Sequence, residues 1–571
     1  MSRDIPSSVE TGPQGTKPDQ SRIQTALNSC AGSGKAVELT MGPSGNNAFL
    51  AGPLTIGSEV TLLIDPGVTL YFSRNARDYD APAPSPSASP SPSCGTVNTN
   101  SNMVTCQPLI TFNGASHSGI MGYGKINGRG GDVVMGVFQT GNYTLTSTTN
   151  ETWWNLAEDG ATLRNSGNFT GYVEQQVPRG IRVMNSSDIT FYKFIYMNPP
   201  QYHIDTDSTD GFSAWGIKII TPWSVNHNTD GIDPDGTTNA TIVNSWISNG
   251  DDNIAVNGIR SISENITILN NHFFAGHGLS IGSTTTYNVE NVLFYNGISY
   301  GNASEVEAVN DPGGSAGIHI KSTFEDGGTI QNIQFSNSCY ANHGQELVFS
   351  PEDGGTSGMQ TPTLSNLLFQ NLHFSGGGTV NFEGSYNPNT SPATTIPATL
   401  TLDNVTFDEL SSSDLSTPYH ATITMGPGQV SGALSTFLTS YQGENGNVIH
   451  DNRTAAALVT PSCNYVYLEP ELTGPSGLPQ TVTAGQNVTV VVMLSPAFSD
   501  PSYPFPTGSV TLTDEAGDTY SFTLAGTTDT GFFTLQNIPA GNHVFTAKYS
   551  GDSVYAPIPS FGSYPVNVVA Q

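Results

Sequence analysis

Asp230, Asp251, Asp252 and His277 fall between Asn228 and Gly278 at intervals that suit a repeating backbone. The segments are Asn228-Thr229-Asp230-Gly231-Ile232-Asp233, Gly250-Asp251-Asp252-Asn253 and Gly276-His277-Gly278. Asp230 and Asp252 are 22 residues apart, and Asp252 and His277 are 25 apart. If each interval is one coil of a solenoid, all four side chains gather on one patch of surface. Carboxylates crowded in this way repel one another, so at least one keeps its proton. A protonated carboxyl can donate to a leaving glycosidic oxygen while an ionised one activates water. Coils stack about 4.8 Å apart, so acids one or two coils apart reach the roughly 6.5–9.5 Å separation of an inverting glycosidase pair. Asp251 and Asp252 are adjacent, and adjacent strand residues point to opposite faces. Both reach a common cleft only if a turn or bulge intervenes. Taken singly, Asn228 or Asp233 reads as a structural corner residue, and a lone Gly-His-Gly carries little. The three segments in order at one-coil spacing carry the argument.

The chain supplies the elements needed to position them. Asn239-Ala-Thr-Ile-Val-Asn-Ser245, Asn265-Ile-Thr-Ile-Leu-Asn-Asn271 and Asn291-Val-Leu-Phe-Tyr-Asn-Gly297 recur every 26 residues. Looser copies begin at Asn332, Asn366 and Asn404, and an earlier one at Asp188. Each is a short alternating strand punctuated by Asn, Gly or Ser. Period-2 alternation inside a longer fixed period marks a solenoid of strands, and such short units find their core only in neighbouring coils. The expected architecture is all-β, a parallel β-helix.

Composition narrows the function classes. With 47 acidic against 17 basic residues, the net charge is −30. There is no basic patch to neutralise phosphates, which argues against a nucleic-acid partner. No apolar run is long enough to span a membrane, and the first residues lack the apolar core of a signal peptide. Cys94 and Cys106 flank a loop and suit a local disulfide, which fits an exported protein whose signal has been removed. One odd thiol remains among the five cysteines.

In chain order, residues 1–19 form a polar N-terminal segment. Residues 20–464 form the β-helix. Its Ser21–Cys30 stretch reads as a short helix capped by Asp19 or Ser21, with Ile23 and Leu27 on one face, covering the solenoid's open end. Residues 81–93 are a Pro/Ser-rich surface loop. Residues 134–177 read as irregular and include Trp153-Trp154, a pair suited either to stacking on a sugar or to burial. A further insertion spans 302–316. Residues 465–571 carry short strands near 481–494, 508–514, 520–524 and 543–549, the pattern of a β-sandwich.

The three segments resemble glycoside hydrolase family 28, the polygalacturonase-type pectinases, whose pattern is Asn-Thr-Asp, Gly-Asp-Asp, Gly-His-Gly and Arg-Ile-Lys. The resemblance covers roughly residues 20–460. It implies a right-handed parallel β-helix and single-displacement hydrolysis of pectin's α-1,4-galacturonosidic bonds with inversion. It also implies that Asp251 is the general acid and that Asp230 and Asp252 hold and deprotonate the attacking water. His277 would support the acid's protonation, with no metal or other cofactor required. Asn228, Gly276, Gly278, His319 and Lys321 would line the substrate site. The fourth segment departs from the pattern, since His319-Ile320-Lys321 stands where the family has Arg-Ile-Lys. His319 gives up a bidentate, permanently charged fork. If it faces the cleft, carboxylate binding is expected to weaken as it deprotonates near neutral pH. The expected partner is a pectic polysaccharide acted on by a monomeric, secreted enzyme. The alternatives are a rhamnogalacturonan- or xylogalacturonan-type hydrolase, a pectate lyase, or a non-catalytic glycan-binding β-helix. Pro506-Thr-Gly-Ser-Val-Thr-Leu512 and Lys548-Tyr-Ser-Gly-Asp-Ser-Val-Tyr-Ala-Pro557 resemble bacterial immunoglobulin-like repeats.

Overall fold

Asparagine sets the coil. Asn239, Asn265, Asn291, Asn332, Asn366 and Asn404, the residues that open the repeats, all have φ between 51° and 60°. Asparagine is one of the few non-glycine residues that visits this left-handed region routinely. Their side chains form a ladder from coil to coil: Asn332 Nδ2 donates to Asn291 Oδ1 at 3.0 Å, and Asn366 Nδ2 donates to Asn332 Oδ1 at 2.7 Å. The turn is therefore fixed by conformation and by stacking together. Asn332→Ala removes both, and is expected to destabilise the solenoid by about 1–2 kcal/mol, read as a lower midpoint in chemical denaturation. Asn332→Gly, which keeps the backbone freedom, is expected to cost less.

The structure, a computed structural model, describes residues 17–42, 45–80, 94–95, 106–135, 151–165, 177–222, 228–301, 316–454, 461, 463, 468–475, 480–496, 505–528, 530–552, 554–555 and 557–570. The 81–93 loop lies outside this set, as do 1–16 of the N-terminal segment and 136–150, 166–176 and 302–315 of the two other insertions. The chain divides into two compact units, 1–461 and 462–571.

In the first unit most strands stack in parallel into a 21-stranded and a 10-stranded sheet. Between them, isoleucine, leucine, valine and phenylalanine side chains form one continuous core. Equivalent positions pack on one another: Phe294, Phe335 and Phe369 stack with centroids 4.3 and 5.7 Å apart. The helix Gln20–Cys30 buries Ile23 and Leu27, as their spacing predicts. Its expected cap is not made. The Asp19 carboxylate instead accepts from the Leu50 amide at 2.7 Å and from Arg22 Nε at 2.8 Å, tying the helix to the first coils. The stretch read as irregular contains a second helix, Trp153–Asn165. Both tryptophans are buried; Trp153 meets Tyr79 edge-on, and Trp154 Nε1 donates to the Pro199 carbonyl at 2.8 Å. The pair is packing, not a sugar platform. Cys94 and Cys106 form the local disulfide, and Cys30 is free.

The second unit has a three-stranded antiparallel sheet (Leu468–Thr473, Val488–Pro496, Thr530–Leu535) and a five-stranded one around Gly541–Tyr549, with its own apolar core. The strand expected over 481–494 is two, Gln480–Thr483 and Val488–Pro496, on either side of Gly485 at φ 86°.

Candidate active site

The 10-stranded sheet positions the site. Ile181, Ile204, Ile232 and Ile254 are register partners on four successive strands and point into the core. Asp230 and Asp252 each lie two residues before one of these isoleucines, on adjacent coils. The Gly231 amide donates to the Asp252 carbonyl at 2.9 Å and holds the two in line. A bulge resolves the problem of the adjacent acids. Asp252 pairs with Gly278 but Ile254 pairs with Leu279, so Asn253 is the extra residue. The bulge turns Asp252 toward the cleft, while Asp251 sits in the bend before the strand. Asn253 is fully buried, and its amide donates to Asn249 Oδ1 at 2.6 Å and to the Ala275 carbonyl at 3.1 Å. Asn249 in turn donates to the Thr229 and Asp252 carbonyls, both at 2.8 Å. The three motif segments are thus pinned to one another by buried amides.

Asp251, Asp252 and His277 come together. Asp251 Oδ1 lies 2.7 Å from His277 Nδ1 and accepts from the Asp252 amide at 2.9 Å. Its Oδ2 accepts from the amide and side-chain nitrogen of Asn228 at 3.1 and 3.2 Å. Asp252 is nearly inaccessible; Ser280 Oγ donates to its Oδ1 at 2.8 Å and Lys321 Nζ to its Oδ2 at 2.9 Å. Although burial works against its charge, Lys321 is held above the usual lysine range by the charge and hydrogen bond of Asp252. Asp230 is buried, and its Oδ1 has no hydrogen-bond partner among the described residues. Burial, then the charges of Asp251, Asp233 and Asp252, push its carboxyl well above the ordinary aspartate range. Asp230 is thus driven toward its protonated form, whereas Asp252 is paired with Lys321. Beneath Asp230, His203 Nδ1 lies 2.9 Å from the Asp230 carbonyl oxygen and Nε2 lies 2.8 Å from Thr221 Oγ1. Burial lowers His203 to about 3, so it acts as a neutral spacer.

His277 and His319 behave oppositely. Burial pulls His277 down, but the bond to Asp251 and the charges of Asp251 and Asp252 outweigh it and raise its pKa. His319 neighbours Ser280 across the sheet and its Nε2 lies 2.9 Å from Ser350 Oγ. Burial, then Lys321 and His277, lower it to about 3. These surroundings push His319 toward its neutral form and do not favour the expected titration near neutral pH. His277 gives up its proton only as pH rises past its raised pKa. The alkaline fall in kcat is accordingly expected to vanish in His277→Asn and to stay in place in His319→Gln, measured as kcat against pH.

Gly276 and Gly278 are close-approach positions. A Cβ on Gly276 would lie 2.3 Å from Asn253 Nδ2, and one on Gly278, at φ 91°, 1.6 Å from the Ala316 carbonyl oxygen. Potential ligand atoms of Asp251, Asp252 and His277 lie within 4.8 Å of one another. A dication there would have to displace the Lys321 ammonium from Asp252, so the donor set suits proton transfer better than a metal. The cleft also contains residues that sequence reasoning missed: Arg179, Tyr202, Asp205 and Asp235, with Asp233, read as a corner, among them. The twin runs Ile204-Asp-Thr-Asp207 and Ile232-Asp-Pro-Asp235 were the available signal, since in register they stack Asp205 on Asp233 and Asp207 on Asp235.

Comparison with known proteins gives the family. The sequence profile of glycosyl hydrolases family 28 matches residues 93–349. A polygalacturonase of Ralstonia nicotianae is 36% identical over 432 residues, covering 70% of this chain and 74% of its own length. The chain belongs to glycosyl hydrolases family 28. An endo-polygalacturonase of Pectobacterium carotovorum subsp. carotovorum is 35% identical over 369 residues, 64% of this chain and 79% of that protein. The solved polygalacturonase from Erwinia carotovora ssp. carotovora aligns with a TM-score of 0.58 at 32% identity, over 71% of this chain and 93% of that one. As a family 28 member the chain is a glycoside hydrolase built on a parallel β-solenoid. Residues 476–569 match a bacterial Ig-like domain (group 3).

Proposed function

We propose that the chain hydrolyses the α-1,4-galacturonosidic bonds of polygalacturonate by single displacement with inversion. The observation that carries this reading is the unequal partnering of three neighbouring carboxylates. Asp251 is hydrogen-bonded to His277, Asp252 is paired with Lys321, and Asp230 lines the same cleft with its Oδ1 unpartnered among the described residues. Asp251 gives its proton to the leaving glycosidic oxygen, and His277 is the local proton store that restores it. Asp252, paired with Lys321, takes a proton from the attacking water, which Asp230 holds from the adjacent coil. The proton gained by Asp252 equals the one spent by Asp251, so one cycle resets by exchange with solvent. The relatives named polygalacturonases support the choice of substrate, and Lys321 supplies a cation for an acidic sugar. The Cys94–Cys106 disulfide supports action outside the cell, where such bonds persist.

The test is reducing-end release from polygalacturonate and from branched pectin fractions, with products sized and the first-formed anomer followed by NMR. Inverted galacturonate products are expected. Retention of configuration would overturn the mechanism. Cleavage of a branched pectin only would move the substrate, and release of an unsaturated product would mark a lyase.

A further inference from the structure

Arg179 stands two residues before Ile181, as Tyr202 stands before Ile204, Asp230 before Ile232 and Asp252 before Ile254. Because those isoleucines pair across four adjacent strands, the four preceding side chains occupy one row of the solenoid. All four line the same cavity. With coils about 4.8 Å apart, Arg179 lies roughly 10 Å along the row from Asp230, on the N-terminal side.

Arg179 is pre-set rather than free to swing. It forms an ion pair with Asp205, and its guanidinium carbon lies 4.6 Å from the centroid of the Tyr202 ring. Its Nε is buried with no hydrogen-bond partner among the described residues, and 23% of the side chain stays accessible. A guanidinium has five donors in a fixed fork, and Asp205 takes only part of it. The surroundings favour an incoming anion. Three guanidiniums, of Arg179, Arg182 and Arg260, meet two carboxylates, of Asp205 and Asp207. The two other acids at this end are pushed toward their neutral forms: Asp235 to about 7 by burial and the Asp205 charge, and Asp233 well upward by burial and the same neighbour. With Asp233 and Asp235 driven toward their neutral forms, the guanidiniums at this end meet less opposing charge.

We propose that Arg179, resting on Tyr202, receives the carboxylate of a uronate unit two coils to the N-terminal side of Asp230. It thereby supplies the forked recognition of an acidic sugar that His319 lacks. This assignment rests on the polygalacturonate reading above and extends it along the cleft.

The test is binding of galacturonate oligomers, dimer to hexamer, to the catalytically silenced Asp251→Asn protein by calorimetry, with and without Arg179→Lys or Arg179→Gln. Turnover of polygalacturonate by the Arg179 variants in the otherwise native chain is measured alongside. Arg179→Lys keeps the charge and the Asp205 partner but loses the fork. It is expected to weaken the longer oligomers about ten-fold, the worth of one charge-assisted forked contact, and to leave the shortest ones and methyl-esterified oligomers unchanged. In turnover KM should rise by a similar factor with kcat nearly constant. A purely structural Arg179 would give equal losses for acid and ester, or a fall in kcat with unchanged KM, and either result overturns the assignment. So does unaltered binding of every oligomer. If the native chain fails to cleave polygalacturonate at all, the proposed function falls and this assignment with it.

Discussion

Asp251→Asn is expected to lower kcat by about a thousand-fold while oligogalacturonate binding changes little. The amide oxygen of an asparagine can still accept from His277 and from the Asp252 amide, the two contacts made by Oδ1. Its NH2 would face the two Asn228 donors that now point at Oδ2, a clash of donors relieved by a small shift of the 228 segment. The fold should therefore survive, and the cleft lined by Arg179, Tyr202 and Lys321 keeps its groups. What disappears is the group able to hand a proton to the leaving oxygen. His277 does not replace it, because its Nδ1 is directed at Asp251, and water in its place leaves the scissile oxygen without a positioned acid. The check is paired: reducing-end release for kcat and calorimetry for binding on the same preparation. A variant within ten-fold of native kcat would remove Asp251 from the role of acid. Loss of binding together with turnover would show that the substitution had disturbed the 228 segment rather than the chemistry.

The sequence made the frame legible because the frame is periodic. Asn239, Asn265 and Asn291 recur every 26 residues because each must take the same left-handed turn at the same point of a coil. Asp230 and Asp252 were legible as neighbours because their 22-residue spacing is one coil. The orientation of adjacent Asp251 and Asp252 was legible only as a difficulty, since a bulge is a property of the pairing with Gly278 and Leu279, not of either residue alone. Arg179 and Tyr202 escaped notice for a related reason. They precede their strands on coils of uneven length, so no fixed interval leads back to them from Asp230; only the register of Ile181, Ile204 and Ile232 does. His319 misled because its chemistry was judged without its neighbours. Buried, and beside an ammonium and a second histidine, its imidazole is pushed toward the neutral form. The tryptophan pair carried no directional signal at all, and its burial follows from the Gly130-Gly131 corner that leaves room beneath Trp154.

Lys321→Met is expected to cost about 3–5 kcal/mol of stability and to abolish turnover, because it leaves a buried carboxylate without its cation. The side chains of Lys321 and Asp252 are only 15% and 5% accessible, so solvent does little to replace the lost charge. Among the described residues, Ser280 alone would remain as a donor to Asp252 Oδ1. Adding Asp252→Asn to the same chain removes the stranded charge, and the double variant should recover most of the lost stability. It should not recover activity, since the base is gone. Denaturation midpoints and reducing-end release on the single and double variants therefore separate two roles that one substitution confounds. A Lys321→Met protein within about 1 kcal/mol of native, the scale of a solvent-screened pair, would mean that Asp252 finds another partner and that Lys321 acts on substrate alone. A double variant as unstable as the single one would place the loss in packing around the lysine stem rather than in charge. Recovery of stability without activity is the result that ties Lys321 to the ionised state of Asp252, and through it to activation of the attacking water.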